Sequence, residues 1–399
     1  MKANNKLYIL GLMMLASASS QAQNWTGTWA TAPMSTTVSN MPPTDLSNRS
    51  IRQIIHVSCG GDSIRLKLTN EYGAESVTIK SVFIADAEEG SNIKRRTAKY
   101  LTFNGKRNIV LDKEKAVWSD PIPYKLKGLQ RLAITINYGE VLGALTSHPG
   151  SRTTSYIVDG EAKPGTSFEK TNWKTDHWFH LSALDVHTKK AGIETIGIIG
   201  NSITDGRGST TNKQDRWTDR FSEAMGEDYG VLNLGIGGNC IDQYGLGDSA
   251  IKRYDRDILG QTGVKTVIIF EGVNDIGTSK WDPEHKWVKT SEQTIADLKK
   301  AYTSLIEKAH ARGMKVYMGT ITAFKGHEYY TPFHELARKE VNEWIRTQKL
   351  ADGVIDFDAL TRDPQDPERL AAKYSDDWLH LNAEGYRVMG AYAAQIVKK

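Results

Sequence analysis

Around His187–Glu194, "HTKKAGIE", the spacing of apolar residues changes, and that change divides the 399-residue chain in two. Before it, short stretches alternate apolar with polar residues. "SIRLKLTN" sets Ile64, Leu66 and Leu68 against Arg65, Lys67 and Thr69, the pattern of a strand with one face buried. "IRQIIHVS", "VTIKSVFIA", "RLAITINY" and "WFHLSALDV" continue the theme with no helical stretch between them, and Gly60-Gly61 suggests a tight hairpin joining the first of these to "SIRLKLTN". Residues 23–188 are therefore expected to form an all-β sandwich, jelly-roll-like in character.

After the change, apolar strands alternate with amphipathic helices. The candidate strands are "TIGIIG", "GVLNLG", "KTVIIFEG", "KVYMGTIT" and "GVIDFD". Among the helices, "TIADLKKAYTSLIEKAHARG" gathers Ala296, Leu298, Tyr302, Leu305, Ile306 and Ala309 near one face, and Asn382 is placed to cap the last helix. Repeated strand-then-helix units predict, for 189–399, a mostly parallel five-stranded sheet inside a three-layer α/β/α sandwich.

The first 22 residues stand apart. Lys2 and Lys6 precede an apolar run, Leu7 to Ala16, and then "SASSQAQ", the layout of a signal peptide cleaved after Ala22. This predicts a secreted or periplasmic protein, and no later stretch approaches the length of a membrane span. A formal charge of +4 from interspersed residues argues against nucleic acid as a partner. Cys59 and Cys240, one in each part, read as small buried residues rather than a disulfide framework. No His-Glu-x-x-His pair occurs, and His177 and His180 in "HWFH" would face opposite sides of a strand, so no metal and no cofactor are expected. Nothing in the sequence sets the oligomeric state.

In parallel sheets, sites form beyond the carboxyl ends of the strands. Ser202 follows the first strand in "IGIIGNSITDG", and "NLGIGGN" follows the second. "EGVND" follows the third, and "DWLHLN" brings Asp377 and His380 in just ahead of the last helix. A hydroxyl, a glycine turn with free N–H groups, a carboxamide, an imidazole and a carboxylate are the inventory of serine acyl transfer.

On these blocks, residues from about 190 to 397 resemble the SGNH (GDSL-type) hydrolase family. The resemblance implies a flavodoxin-type α/β/α fold with Ser202 as nucleophile, His380 as base and Asp377 as the acid orienting it; Asp376 is the competing acid. It implies that Gly238 in "NLGIGG", Asn274 in "GVND" and the Ser202 N–H form the oxyanion hole. From "WTGTWATAP" onward the first part is similar to the β-rich domain of some secreted members. One residue departs from the family pattern: Asn201 stands where Asp is usual. The expected function is an exported serine esterase of short-chain, acetyl esters on carbohydrate. The tryptophans Trp25, Trp29, Trp118, Trp173 and Trp178 are compatible with a polysaccharide partner or with ordinary core roles. The alternatives are a lysophospholipase or thioesterase of the same family, a non-catalytic carbohydrate-binding protein, and a nucleotide-binding module suggested by "GRGSTT".

Overall fold

The structure is a computed structural model that describes residues 25–190, 192–243, 245–279, 281–282, 286–287 and 289–399. The expected signal peptide lies outside the described residues.

Two antiparallel sheets dominate the first half. One runs Trp25–Ala30, Leu181–His187, Gly61–Thr69 and Ala116–Trp118, with Ile122–Leu126 also on Gly61–Thr69. The other runs Lys174–Thr175, Ser155–Asp159, Arg49–His56, Arg131–Tyr138, Val77–Asp86 and Lys99–Tyr100, with Ile109–Leu111 also on Val77–Asp86. Ile64, Leu66 and Leu68 from the first sheet meet Ile51, Ile55, Ile134 and Ile136 from the second in one core, as the alternation predicts. A small third sheet joins Met34–Ser35, Thr146–His148 and Trp178–Phe179.

Two local expectations are corrected. Gly60-Gly61 is not a hairpin turn, because Arg49–His56 and Gly61–Thr69 belong to different sheets. The glycines serve close approach instead: a Cβ on Gly60 would stand 2.4 Å from the Leu126 carbonyl oxygen, and one on Gly61 would stand 2.2 Å from that of His187. "WFHLSALDV" is not one strand either. His180 sits at φ 56° and separates Trp178–Phe179 from Leu181–His187, so it is buried against Tyr138 while His177 bonds the Pro149 carbonyl.

In the second half the strands are β1 (Glu194–Gly200), β2 (Tyr229–Gly235), β3 (Val264–Phe270), β4 (Lys315–Gly319) and β5 (Gly353–Ile355). All pair in parallel, in the order β2-β1-β3-β4-β5. The helices are α1 (Ser202–Asp205), α2 (Trp217–Met225), α3 (Ala250–Tyr254), α4 (Val273–Gly277), α5 (Ser291–His310), α6 (Pro332–Thr347), α7 (Phe357–Thr361) and α8 (Ala383–Val397). Helix α2 packs on α8 and α5 on α6. The buried face of α5 carries Ile295, Leu298, Tyr302, Leu305, Ile306 and Ala309; Ala296 lies outside it and is exposed. Asn382 caps α8 by accepting from Gly385 N–H.

The halves share a seam. Gly27 N–H donates to the Thr262 carbonyl at 3.1 Å, and Val231 N–H donates to Ser58 Oγ at 2.8 Å. Ala30, Ala32 and Ala183 lie in the same apolar cluster as the parallel sheet. Cys59 and Cys240 are both buried free thiols. No helix of the described residues is long and apolar enough to cross a membrane.

Candidate active site

At the carboxyl end of β1 the chain turns sharply into α1, and glycines make the turn fit. A Cβ on Gly200 would fall 2.2 Å from Thr204 Oγ1, and one on Gly235, its register partner on β2, would fall 2.4 Å from Asp205 N. With both positions bare, α1 sits directly over two strand ends. Asn201 is its N-cap, accepting from Ile203 N–H at 3.0 Å. Ser202, the first residue of α1, is thereby held at the sheet edge and buried.

Ser202 Oγ lies 2.9 Å from His380 Nε2. The other ring nitrogen, Nδ1, lies 2.7 Å from Asp377 Oδ2. Asp377 Oδ1 accepts from the N–H groups of Leu379 and His380 at 3.0 and 2.8 Å, a local loop that the three-residue spacing makes natural. Burial opposes the charge on Asp377, but the His380 ring and those two N–H groups outweigh it and hold the carboxyl well below the usual range. Ser375 fixes the loop by donating to the His380 carbonyl and accepting from Trp378 N–H. The neighbouring acid, Asp376, is exposed.

Gly238 and Asn274 meet one another at Asn239. Gly238, at φ 70°, has the Leu246 side chain 2.6 Å from where a Cβ would stand. Asn274, buried on α4, donates from Nδ2 to the Asn239 carbonyl at 2.8 Å and accepts from Tyr329 O–H at 3.1 Å. An amide nitrogen carries two protons, so one remains to donate elsewhere. The Tyr329 ring lies where a side chain at Gly277 would be, 2.1 Å from a Cβ there. Among the described residues the hydrogen bonds of Gly238 and Asn274 run to this surrounding frame rather than to Ser202.

Several residues that build this frame escape sequence reasoning. Arg253 is fully buried and donates to the carbonyls of Leu234 and Gly200, to Asn239 Oδ1 and to Asp257. One guanidinium thus ties the ends of β1 and β2 to the glycine turn. Its only outward sign is the four-residue spacing to Asp257. Glu271 lies beside Asn201 and 3.6 Å from Arg253, and burial pushes its carboxyl well above the usual value. Asp275 accepts from the N–H groups of Ile241 and Asp242; burial raises it to about 6.

The β-half also reaches the site. His148 Nε2 lies 2.9 Å from Asp205 Oδ1, with Nδ1 on the Ala32 carbonyl. A groove of about 670 Å³ runs between the halves, lined on one side by residues 34–37, Ser39, Asn40, Tyr72, Arg152 and His177 and on the other by Asp205, Gly237 and residues 245–248. The five tryptophans are not in it. Trp29 and Trp178 pack edge to face in the core, while arginines cover Trp25, Trp118 and Trp173. "GRGSTT" is no phosphate cradle: a Cβ on Gly208 would fall 2.3 Å from the Leu381 carbonyl oxygen, so this loop packs on the segment carrying His380.

Residues 198–388 match the model of the GDSL-like Lipase/Acylhydrolase family. This part of the chain is a GDSL-like lipase/acylhydrolase domain. The GDSL-like segment is similar to several solved structures. One is an acetyl xylan esterase at 22% identity, covering 50% of this chain and 98% of that one, with a TM-score of 0.38. A GDSL-like lipase from Bacteroides thetaiotaomicron matches at 19% identity over 51% and 86%, with a TM-score of 0.38. A carbohydrate acetylesterase from Sinorhizobium meliloti matches at 15% over 51% and 97%, also with a TM-score of 0.38. No curated protein matches the chain.

Proposed function

We propose that the protein is a serine esterase in which Ser202, His380 and Asp377 act as nucleophile, base and orienting acid. The single observation carrying this is the hydrogen-bonded chain from Ser202 Oγ through the His380 ring to Asp377. His380 Nε2 takes the Ser202 proton as Oγ attacks the ester carbonyl. Asp377 holds the ring in the tautomer that leaves Nε2 free to accept, and stabilises the imidazolium that forms. The Ser202 and Gly238 N–H groups and the second Asn274 Nδ2 proton receive the oxyanion. His380 then protonates the leaving alcohol, and water releases the acid by the same steps in reverse order.

Short acyl groups on a carbohydrate alcohol are the proposed substrates, with 189–399 as the catalytic unit. Ser35, Thr36, Thr37, Ser39 and Asn40 along one side of the adjoining groove support a hydroxyl-rich alcohol. Export after cleavage near Ala22 is part of the same proposal, and sequencing the mature N-terminus tests it. The activity itself is tested with an organophosphonate ester and p-nitrophenyl acyl esters. Ser202 is expected to be labelled, Ser202→Ala to abolish labelling, and acetate to be cleaved faster than long acyl chains. Labelling at another residue would remove Ser202 from its role.

A further inference from the structure

The groove between the halves contains an arginine that the rest of the protein does not use. Arg152 lines it, and its Nε is buried with no hydrogen-bond partner. Among the described residues no hydrogen bond or ion pair to the Arg152 side chain occurs. Other charged groups on the groove are matched: Asp248 pairs with Lys252 and Tyr72, and Asp205 with His148. A partly buried guanidinium without an acceptor is costly, and five N–H donors in a fixed fork suit a carboxylate or a sulfate.

The backbone makes the same point. Arg152 sits at φ 48°, a left-handed conformation that costs an ordinary side chain energy. The segment is nonetheless held firmly. Arg216 donates to the Ser151 carbonyl, Asn212 N–H donates to the Arg152 carbonyl at 2.9 Å, and Gly150 packs so closely on Asp205 that a Cβ would fall 1.7 Å from its carboxylate. Asp205 closes α1, the helix that Ser202 opens. Tyr386, whose hydroxyl donates to the Arg207 carbonyl, is near enough to feel the charges of Arg152, Asp205 and Asp377 together. Arg152 belongs to the β-half and is thus fixed, by contacts with the GDSL-like half, at the edge of the candidate active site, facing a groove whose lining includes Ser35, Thr36, Thr37 and Ser39.

We propose that this groove receives the alcohol portion of the ester, a sugar bearing an anionic group, and that Arg152 binds that anion. The proposal rests on Ser202 as the nucleophile for its place in the reaction, but not for the binding it requires. The β-half then selects the substrate and the GDSL-like half cuts it. A uronate carboxylate and a sugar sulfate share the chemistry that Arg152 recognises.

Binding of deacetylated oligosaccharides to the full protein, followed by calorimetry, tests this without any turnover. Three probes of equal length serve: neutral, uronate-containing and sulfated. The expected result is that at least one anionic probe binds about tenfold or more tighter than the neutral one, with an advantage that shrinks as salt rises. Whichever anionic probe is favoured identifies the source of the charge. Arg152→Asn, chosen because Asn tolerates the left-handed backbone, is expected to erase that advantage. Equal binding of all three probes by the unmodified protein overturns the proposal even if the variant does not fold. An advantage that survives in a folded Arg152→Asn protein overturns it as well. Failure of the esterase reading would show separately, as no phosphonate labelling of Ser202.

Discussion

His148 Nε2 and Asp205 Oδ1 stand 2.9 Å apart across the seam, and both side chains are almost fully buried. The histidine belongs to the β-half and the aspartate ends the one-turn helix that Ser202 begins. His148→Ala leaves a buried carboxylate without its partner and is expected to cost about 3–5 kcal/mol of stability. Urea unfolding measures the loss. kcat should fall more than KM changes, because α1 loses the contact that anchors it. A variant with native stability and native kcat would show the contact to be idle.

Asp377→Asn should lower kcat by up to about 10⁴, since an amide favours the wrong tautomer of His380. Asp376→Asn should change it little, because Asp377 is the acid that bonds the ring. Steady-state kinetics of the two variants against a p-nitrophenyl ester decides between the acids. Comparable losses in both would remove Asp377 from its special place.

Asn274→Ala should lower kcat by about 10²–10³ with KM nearly unchanged, because the oxyanion exists only near the transition state. Tyr329→Phe removes the bond to Asn274 Oδ1 and leaves the amide in place, so its effect should be smaller and again fall on kcat. If either change moved KM alone, Asn274 would be binding the ground state.

Asn201→Asp should change kcat by less than about tenfold, or 1.4 kcal/mol of barrier. The new carboxylate would still accept from Ile203 N–H, and it would enter a site already holding Glu271 and Arg253. In the proposed mechanism Ser202 gives its proton to His380, whose Nε2 lies 2.9 Å from its Oγ, and position 201 takes no part in that transfer. A rise of a hundredfold or more would mean that position 201 tunes the nucleophile.

Acid should weaken the β-half through His180. Burial lowers its pKa to about 4 from an ordinary value of about 6.5. Between those values the unfolded chain binds a proton that the folded chain refuses, so stability falls as pH drops from about 6.5 towards 4, by up to about 3 kcal/mol in total. His180→Asn accepts the left-handed backbone and should flatten the fall, compared by urea unfolding at pH 7 and pH 4.5. Equal pH slopes in the two proteins would place the titration elsewhere.

The parallel sheet was legible because each of its strands is a continuous apolar run, and the site because strand ends in such a sheet share one edge. Ser202, His380 and Asp377 stood out by their common placement after strands and before the last helix, their roles came from the family resemblance, and the Asn382 cap followed from local spacing. What stayed hidden is what joins distant segments. Gly60-Gly61 looks like a hairpin because close packing and a tight turn both require glycine, and only the sheet pairing tells them apart. Arg253 reads as one more helix charge until the carbonyls of Gly200 and Leu234 are seen to converge on it. Asp205 lies within "IGIIGNSITDG", but nothing local points to its partner His148 in the other half.

The first strand of the β-half, Trp25–Ala30, pairs with its last, Leu181–His187, in the register Trp25↔His187. That pairing governs the order of events during synthesis. The earliest strand to emerge must wait, unpaired, until almost the whole β-half has followed it, and the Gly27–Thr262 bond waits longer still. A chain threaded outward from its amino end would therefore carry an open sheet edge through most of its passage, closing the sandwich only when the GDSL-like half begins to arrive.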